Sequence, residues 1–575
     1  MDWMRYTLQC SLLFGLPLAT TPFSTVSLSK NQQRPKALRV RAPTPVTDNP
    51  CLLAHQRPDD DCDGEDANFD NDDDATGSFC LYVHIPYCRR RCNYCDFAIV
   101  PIGSSKEIRE EEGDDDNDDA DARRRRGFET MDANYKTAIL NEIRAIGKFR
   151  GKKEKIPLKS IYFGGGTPSL APLSTLREII HALHKSRESP FSIMEDEGED
   201  CEITIEMDPG TFDIHFLRDI KEMGFNRISL GVQSFDDALL SNMGRVHRVK
   251  DVYRSIAMIH DVFGDESNYS IDLISGVPGL TLAKWTETLH EATRLRPRPD
   301  HMSLYDLQVE QGTAFGKWYG DAENDDDRDG ILSSGVLRRT KEGAAASTHP
   351  ALPSAEDCAF MYSYASGYLR SRNYEHYEIS SYAYGQKQHR SKHNQNYWAY
   401  DGQWYAVGLG STSNISGVRY ARPRALSDYV TWAEGLGEID DSIVEEDDSS
   451  SIVPTQCTEE SRIKPPWLWK DPNDTNEDVE EDEKDDALLD VVMTRLRTSE
   501  GLDMDWVADH PRYGTSHAET ILRGFDLALD LDLGVRYHAN SEERYGSIRL
   551  KDSQGFLFSN NIISNVFVEL SEMDS

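Results

Sequence analysis

The sequence predicts an α/β fold in which a parallel sheet is covered by helices and a small helical domain follows. Strand-like runs alternate with helix-like runs six times between residues 81 and 308, which is typical of parallel sheets. Several strands are apolar on both faces, as a sheet covered by helices requires. Each strand ends in a polar or Gly-rich turn, at the edge where such sheets bind ligands.

The strands are expected where short runs are rich in β-branched and aromatic residues. They are 81–85, 158–163, 202–206, 227–233, 270–274 and 302–308. Helices are expected where apolar residues recur at helical spacing. They are 132–148, 173–185, 216–223, 236–243 and 282–295. The segment after residue 486 begins with a helical run and ends with a strand-like run and an amphipathic stretch, which favours a winged-helix-like domain.

The formal net charge is −37, and much of it lies in a few acidic segments. Such segments cannot bury enough apolar surface to fold, so solvated, disordered insertions are expected there. They are 57–76, 106–122, 195–202 and 436–486. Nucleic acid is not expected as a partner, because phosphate binding needs a basic stripe.

The N-terminal segment differs from the rest of the chain. The apolar run CSLLFGLPLATTPF at 10–23 is too short to span a bilayer and resembles a signal-peptide core. The Ser-, Lys- and Arg-bearing segment after it resembles a transit peptide. A two-part leader with Phe23 near the junction predicts an organelle, a plastid bounded by extra membranes. A mitochondrial presequence is the alternative, and a cytosolic chain is the third. An integral membrane protein is not expected.

Three of the ten cysteines, Cys88, Cys92 and Cys95, form a C-x3-C-x2-C run directly after the first strand. Three thiolates can hold three irons of a four-iron cluster and leave the fourth iron open. An open iron can bind an amine and a carboxylate, which makes S-adenosylmethionine a candidate ligand. Zinc is the alternative metal, although it normally needs a fourth ligand. Three unrelated thiols are the other reading. The remaining cysteines are scattered, so a reducing compartment is expected.

The motif FGGGTPS ends the second strand. Its glycines at 164–166 let the backbone approach a ligand closely. Their amides and the Thr167 hydroxyl could bind a carboxylate or an amine. An ordinary tight turn is the alternative interpretation.

Four charged or polar residues lie in the later motifs TIEMDPGT, ISLGVQSF, MGRVH and IDLISGVPG. Glu206 could hold an amino group or a sulfonium, and Gln233 offers both a donor and an acceptor. Arg245 could neutralise a carboxylate, and Asp272 could accept hydrogen bonds from ribose hydroxyls. Solvated rim residues are the alternative.

Together these ordered motifs resemble the radical S-adenosylmethionine (SAM) enzymes related to oxygen-independent coproporphyrinogen-III oxidase. The resemblance covers roughly 80–435 and the C-terminal domain. It implies an incomplete (β/α)6 TIM-like barrel, a [4Fe–4S] cluster on the three cysteines, an electron donor, and SAM cleavage to a 5′-deoxyadenosyl radical. By resemblance, the first SAM molecule contacts Tyr82, Gly165 and Glu206. The surrounding or second SAM site is formed by Tyr94, Gly166, Thr167, Gln233, Arg245 and Asp272.

The chain departs from the oxidases at Phe97, where their motif continues to a fourth cysteine. The C-D-F sequence and HNQNYW at 393–398 resemble instead the sister family of HemW-type haem chaperones. That resemblance implies haem binding and delivery to haemoproteins. His393 becomes a candidate axial ligand with aromatic walls. The alternative is a histidine packed under an aromatic cluster. Cys358 and His376 are weaker candidates.

Two other functions stay open from the sequence. One is oxidative decarboxylation of coproporphyrinogen III propionates to vinyl groups, with a porphyrinogen as substrate. The other is a cluster-bearing structural protein without cofactor turnover.

The expected organisation follows from these assignments. It comprises a leader at 1–50, an acidic linker at 51–79, a partial barrel at 80–320 with a disordered insertion at 104–127, a disordered insertion at 321–352, a segment completing the barrel at 353–435, an acidic linker at 436–485 and a C-terminal domain at 486–575.

Overall fold

A computed structural model describes most of the chain from residue 79 onward. The described residues are 79–103, 118–150, 155–196, 199–264, 268–320, 349–385, 387–400, 402–415, 417–437, 481–538 and 544–573. The predictions for the leader, for the linker up to residue 78, for 104–117, for 321–348 and for 438–480 lie outside these residues.

The centre of the fold is one twelve-stranded sheet. Its strands are β1 (Phe79–Ile85), β2 (Ile156–Gly165), β3 (Phe191–Ile193), β4 (Glu202–Met207), β5 (Arg227–Gln233), β6 (Tyr269–Ser275), β7 (His301–Asp306), β8 (Tyr374–Glu378), β9 (Ser381–Tyr384), β10 (Trp404–Val407), β11 (Thr412–Ile415) and β12 (Val418–Ala421). Their order is β8-β9-β7-β6-β5-β4-β2-β1-β10-β11-β12, with β3 beside β2.

The six predicted strands are β1, β2, β4, β5, β6 and β7, and they are parallel neighbours in chain order. The α/β fold class is therefore confirmed. The two outermost strands, β8 and β12, do not pair with each other, so the sheet does not close into a complete barrel. A seventh parallel strand, β10, pairs with β1 and was not predicted as a strand.

Helices follow the strands. Up to residue 437 they are α1 (Asp118–Arg150), α2 (Leu173–Ile180), α3 (Ile214–Met223), α4 (Asp237–Asn242), α5 (Val249–Phe263), α6 (Leu282–Arg294), α7 (Ala314–Tyr319), α8 (Ala355–Arg370), α9 (Lys392–Trp398) and α10 (Leu426–Gly437). Helix α3 illustrates how the local sequence sets the start, the end and the buried face of a helix. The Asp213 side chain caps its first turn, Gly224 ends it at φ 105°, and its buried face carries Phe216 and Ile220.

Parts of the acidic segments are ordered, contrary to the sequence prediction, and residues 481–486 of the segment predicted at 436–486 are helical. Helix α1 begins at Asp118, so 118–127 is helical rather than part of a disordered insertion. Acidic residues at a helix N-terminus are favoured by the helix dipole, which explains this start. The segment 195–202 was also predicted to be disordered. Its residues Glu195–Asp196 and Glu199–Asp200 instead form a short antiparallel pair.

A buried ion pair joins α1 to the end of β12. Arg422 Nε donates to Glu142 Oε1 at 2.8 Å, and both side chains are fully buried. Glu142 also accepts hydrogen bonds from the Tyr429 hydroxyl at 2.7 Å and from the Gly408 amide at 3.0 Å. Because removing one partner of such a pair leaves an uncompensated buried charge, this cluster fixes β10–β12 against α1.

The C-terminal segment has a hydrophobic core of its own, around Leu502, Phe525 and Ile548. Its helices are α11 (Glu481–Arg495), α12 (Met504–Asp509), α13 (Gly514–Asp530), α14 (Gln554–Leu557) and α15 (Ser559–Ser571). Its strands Leu502–Asp503, Gly534–Tyr537 and Ser547–Leu550 form a three-stranded antiparallel sheet. Across the described ranges, no helix combines the length and apolar character needed to span a bilayer.

Candidate iron–sulfur and cofactor site

The three cysteines lie on the loop that leaves β1. Tyr87 and Cys88 pair in parallel with Val100 and Pro101, which closes the loop at its base. All three thiols are free and half-buried. Burial first, and then the neighbouring Cys92, raise the pKa of Cys95 to about 11. Cys92 is therefore close enough to influence Cys95, whose thiol stays protonated until a metal displaces the proton.

The three thiols on the loop are free, and within the described ranges no group of three or more His, Cys, Asp or Glu residues is arranged to hold a metal ion. Three thiolates can each bind a different iron of a four-iron cluster and leave the fourth iron open. The donor set therefore fits the cluster that the spacing predicts.

Backbone carbonyls in and next to the segment MGRVH hold the cysteine loop in place. The Asn93 amide donates to Met243 O at 2.9 Å, and its side-chain amide donates to Asn242 O at 2.7 Å. On the other side, the Phe315 amide at the start of α7 donates to Asn93 O at 2.8 Å. The loop is thus held between two elements before any metal binds.

The glycine turn at the end of β2 packs against the start of the same loop. Gly165 has φ 107°, and a Cβ there would collide with the ring of His84. A Cβ on Gly166 would lie 2.6 Å from the carbonyl carbon of Pro86. These glycines are therefore required by a close backbone approach within the protein itself.

The backbone amides of this turn are already in use. The Gly165 amide donates to Glu206 Oε2 at 3.0 Å, Gly166 donates to Ile85 O at 2.8 Å, and Thr167 donates to Tyr87 O at 2.6 Å. A ligand would therefore reach these three amides only by displacing the acceptors that they have in this structure. The Thr167 hydroxyl lies 3.6 Å from Cys88 Sγ and 3.4 Å from Asp208 Oδ2.

Two predicted carboxylates face the interior of the barrel. Glu206 accepts from the Tyr162 hydroxyl at 2.8 Å, and burial raises its pKa to about 7. Asp272 accepts from the Ser229 hydroxyl at 3.1 Å, and burial raises its pKa to about 6. Both groups can change charge close to neutral pH, which is common where a charged ligand binds.

Arg245 connects the sheet to the cysteine loop. Its guanidinium forms an ion pair with Asp208 and donates to Gly231 O at 3.1 Å. It also lies 3.6 Å from Cys92 Sγ and 3.4 Å from the Tyr94 hydroxyl. Asp208, not singled out from the sequence, thus compensates much of this charge. Its position two residues after Glu206, on the same face of the strand end, was the available signal.

Gln233 carries the clearest sign of a missing ligand. It has φ 64°, which is uncommon for a residue other than glycine, and its Oε1 atom is buried without a partner. A buried, unsatisfied amide oxygen is costly unless a ligand or water donates to it. This observation fits a polar cofactor at the strand ends.

Tyr82 is linked to the cysteine loop through His84, a residue that the sequence reasoning missed. The Tyr82 hydroxyl lies 3.1 Å from His84 Nδ1, and His84 Nε2 lies 2.8 Å from Ala98 O. Burial lowers the pKa of His84 to about 4, so the ring is neutral at physiological pH. A single histidine within a strand-like run gave no sequence signal for this role.

His393 lies on α9, which packs against the N-terminal ends of the strands. Its Nδ1 atom is 2.9 Å from the Ser160 hydroxyl, and its Nε2 atom is 3.0 Å from the Tyr397 hydroxyl. The ring stacks on Tyr162 at 4.9 Å, and burial lowers its pKa to about 3. Both ring nitrogens are therefore engaged, and the axial-ligand role stays a prediction.

A cavity of about 40 Å³ lies between α9 and the predicted cofactor residues Tyr82 and Glu206. Arg227 and His301 line it, and both have buried nitrogen atoms without a hydrogen-bond partner. A polar cavity of this size accommodates the few water molecules that such atoms need. The barrel interior is therefore polar from its floor to the cofactor end.

Comparisons with known proteins agree with this geometry. The family model for the radical SAM superfamily matches residues 82–292. A protein named heme chaperone HemW from Synechocystis sp. is 35% identical over 366 residues, which cover 62% of this chain and 72% of the relative. The mitochondrial radical S-adenosyl methionine domain-containing protein 1 of Dictyostelium discoideum is 32% identical over 339 residues, covering 58% of this chain and 65% of that protein.

One solved structure shares the fold. Coproporphyrinogen III oxidase (HemN) from Escherichia coli aligns with a TM-score of 0.55 at 16% identity, over 85% of this chain and 90% of that chain. This likeness concerns the fold alone.

The glycine turn yields a stability prediction. Replacing Gly165 with Ala introduces a Cβ at positive φ against His84, so we expect the free energy of unfolding to fall by about 2–5 kcal/mol. Gly127, exposed on α1 with no atom within 4 Å of a Cβ, is the control. Ala at that position should stabilise the helix by up to about 1 kcal/mol. Urea unfolding of the metal-free protein, followed by circular dichroism, compares the two variants. Equal midpoints would refute the close-approach argument.

Proposed function

This chain belongs to the HemW-type family of radical SAM proteins, and from that membership we propose that it binds haem and transfers it to haemoproteins. Its similarity to the Synechocystis heme chaperone, over 72% of that protein's length, is the observation that carries the proposal. Phe97, in the place of a fourth cysteine, supports the chaperone over the coproporphyrinogen oxidase.

We propose that Cys88, Cys92 and Cys95 hold a [4Fe–4S] cluster. Their half-buried loop is preformed by the contacts of Asn93, so little reorganisation is needed for loading. When bound, the cluster would supply a single electron to SAM. Arg245 places a guanidinium 3.6 Å from Cys92 Sγ, beside the proposed cluster.

We propose that SAM lies along the strand ends facing the cluster. Glu206 offers a carboxylate to its amino group or sulfonium, Asp272 accepts from hydroxyl groups, and Gln233 Oε1 gains the donor that it lacks. Tyr82 walls the site, where it lies 6.3 Å from Tyr162 in a stacked arrangement. The remaining proposed contacts are Tyr94, Gly165, Gly166, Thr167 and Arg245.

We propose His393 as the haem ligand. His393 would have to exchange its bonds to Ser160 and Tyr397 before it could bind iron. The partners in this proposal are haem, acceptor haemoproteins and an electron donor for the cluster.

An organellar location is part of the proposal. The leader-like segment at 1–50 favours a plastid, with a mitochondrion as the alternative. The relatives from Dictyostelium discoideum and Bos taurus are named mitochondrial, which supports an organelle in general.

The cluster proposal predicts the iron content. Anaerobic reconstitution should give a brown protein with about four irons per chain. Serine at Cys88, Cys92 and Cys95 together should leave the protein colourless, because no thiolate remains on the loop. Cys358→Ser, a buried thiol elsewhere, is the control and should load normally. A loaded triple variant would contradict the assignment.

The raised pKa of Glu206 predicts a pH dependence of cofactor affinity. Below pH 7 the carboxyl group is neutral and has no charge to offer a cation, so SAM affinity should rise between pH 6 and 8, by up to about tenfold per pH unit below the pKa. Glu206→Gln should weaken binding and flatten this profile, measured by equilibrium dialysis on cluster-loaded protein. Glu378→Gln removes another buried carboxyl group whose pKa is raised to about 7 and should leave the profile unchanged.

The function itself is tested by a paired assay. Purified protein should bind haem with a shift of the Soret band and should release haem to an apo-haemoprotein. It should fail to form vinyl groups from coproporphyrinogen III under reducing, anaerobic conditions with SAM. Stoichiometric vinyl formation would instead establish the decarboxylase.

A further inference from the structure

Several arginines lie in or next to the cysteine loop, although the chain has a net charge of −37. Arg90 and Arg91 lie within the loop and are exposed, and Arg248 precedes α5 and is half-buried. We call these three residues the arginine surface. Val246, beside them in sequence, is 43% exposed, which adds an apolar element.

The guanidinium groups of the arginine surface bind backbone carbonyls. Arg90 Nη2 donates to Arg245 O at 3.0 Å, and Arg248 Nη1 donates to the same oxygen at 3.0 Å. Two positive charges from different loops thus meet at one uncharged acceptor. Arg91 Nη1 donates to Phe97 O at 2.9 Å, within the cysteine loop.

The nearby acidic side chains have partners other than these guanidinium groups, and Asp251 Oδ2 accepts from the Arg248 backbone amide at 2.9 Å. Asp208 pairs with Arg245, and Asp96 lies 3.6 Å from Arg424. Over the ranges that the structure describes, none of the three guanidinium groups forms an ion pair with a carboxylate. Their charge is therefore presented to solvent rather than neutralised internally.

We propose that the arginine surface docks the acidic face of a small protein electron carrier that reduces the cluster. This inference rests on the proposed function, because it assumes a cluster on the loop. The carrier loses one electron and the cluster gains one, and no bond forms or breaks.

The geometry favours a protein over a small anion. The charges spread across two loops, and Arg90 and Arg91 are exposed, whereas a small anion is usually held in a concavity. Arginines next to an exposed apolar residue are typical of protein interfaces. An acidic carrier would be repelled by most of this acidic chain, so a local positive surface also fixes where it docks.

The test compares Arg90→Gln/Arg248→Gln with wild type. Glutamine removes each charge and keeps a donor for the Arg245 carbonyl. Arg218→Gln, exposed on α3, is the matched control. Stopped-flow absorbance measures the rate at which reduced flavodoxin, used as the acidic probe, reduces the cluster. We expect a fall of about tenfold or more at low ionic strength and a weaker salt dependence, with the control unchanged.

Two further measurements separate the outcomes. Reduction by dithionite should be equally fast in all three proteins, and equal slowing with dithionite and flavodoxin would mean that the arginines only support the loop. Unchanged flavodoxin kinetics would also overturn the proposal. Calorimetric titration of flavodoxin into each protein tests docking even if no cluster forms. Absence of iron after reconstitution would contradict the proposed function. Equal flavodoxin affinities of the wild type and the double variant would contradict docking.

Discussion

The close approach of β1 and β2 at their C-terminal ends determines the rest of the site. Gly165 and Gly166 allow the second strand to lie directly against His84 and Pro86. The amides of Gly166 and Thr167 then bind the backbone at the point where the cysteine loop begins. A side chain at either glycine would push the two strands apart. The position of the thiols relative to Glu206 is therefore set by backbone contact rather than by side-chain packing.

The concave face of the sheet is polar, while its outer face is packed with apolar residues. Burial raises the pKa of Glu206 and Asp272, and Arg227, whose Nε lies 3.8 Å from Glu202 Oε2, has nitrogen atoms without a hydrogen-bond partner. Such an interior is costly for an empty protein, because unsatisfied buried groups destabilise it. Binding of a charged, polar ligand would offset part of this destabilisation. The instability of the interior and its capacity for ligand binding have the same origin.

The sequence predicted what depends on local pattern. The six parallel strands and their helices follow from alternation, and the cysteine spacing pointed to the loop. Strand β10 was missed because its pairing with β1 joins segments more than 300 residues apart. The role of Asp208 was missed because it acts through Arg245, 37 residues further along the chain. His84 contacts Tyr82 and Ala98, which are near in sequence, but a single histidine in a strand run forms no motif. The start of α1 within an acidic segment shows that composition alone does not exclude a helix.

The position of helix α9 limits how a ligand can reach the interior of the sheet. Its residues His393 and Tyr397 cover the lower opening of the sheet, where Glu202 accepts from the amides of Lys392 and His393. Because α9 covers that opening, a ligand bound at Glu206 would enter and leave past the cysteines or through the unclosed side of the sheet.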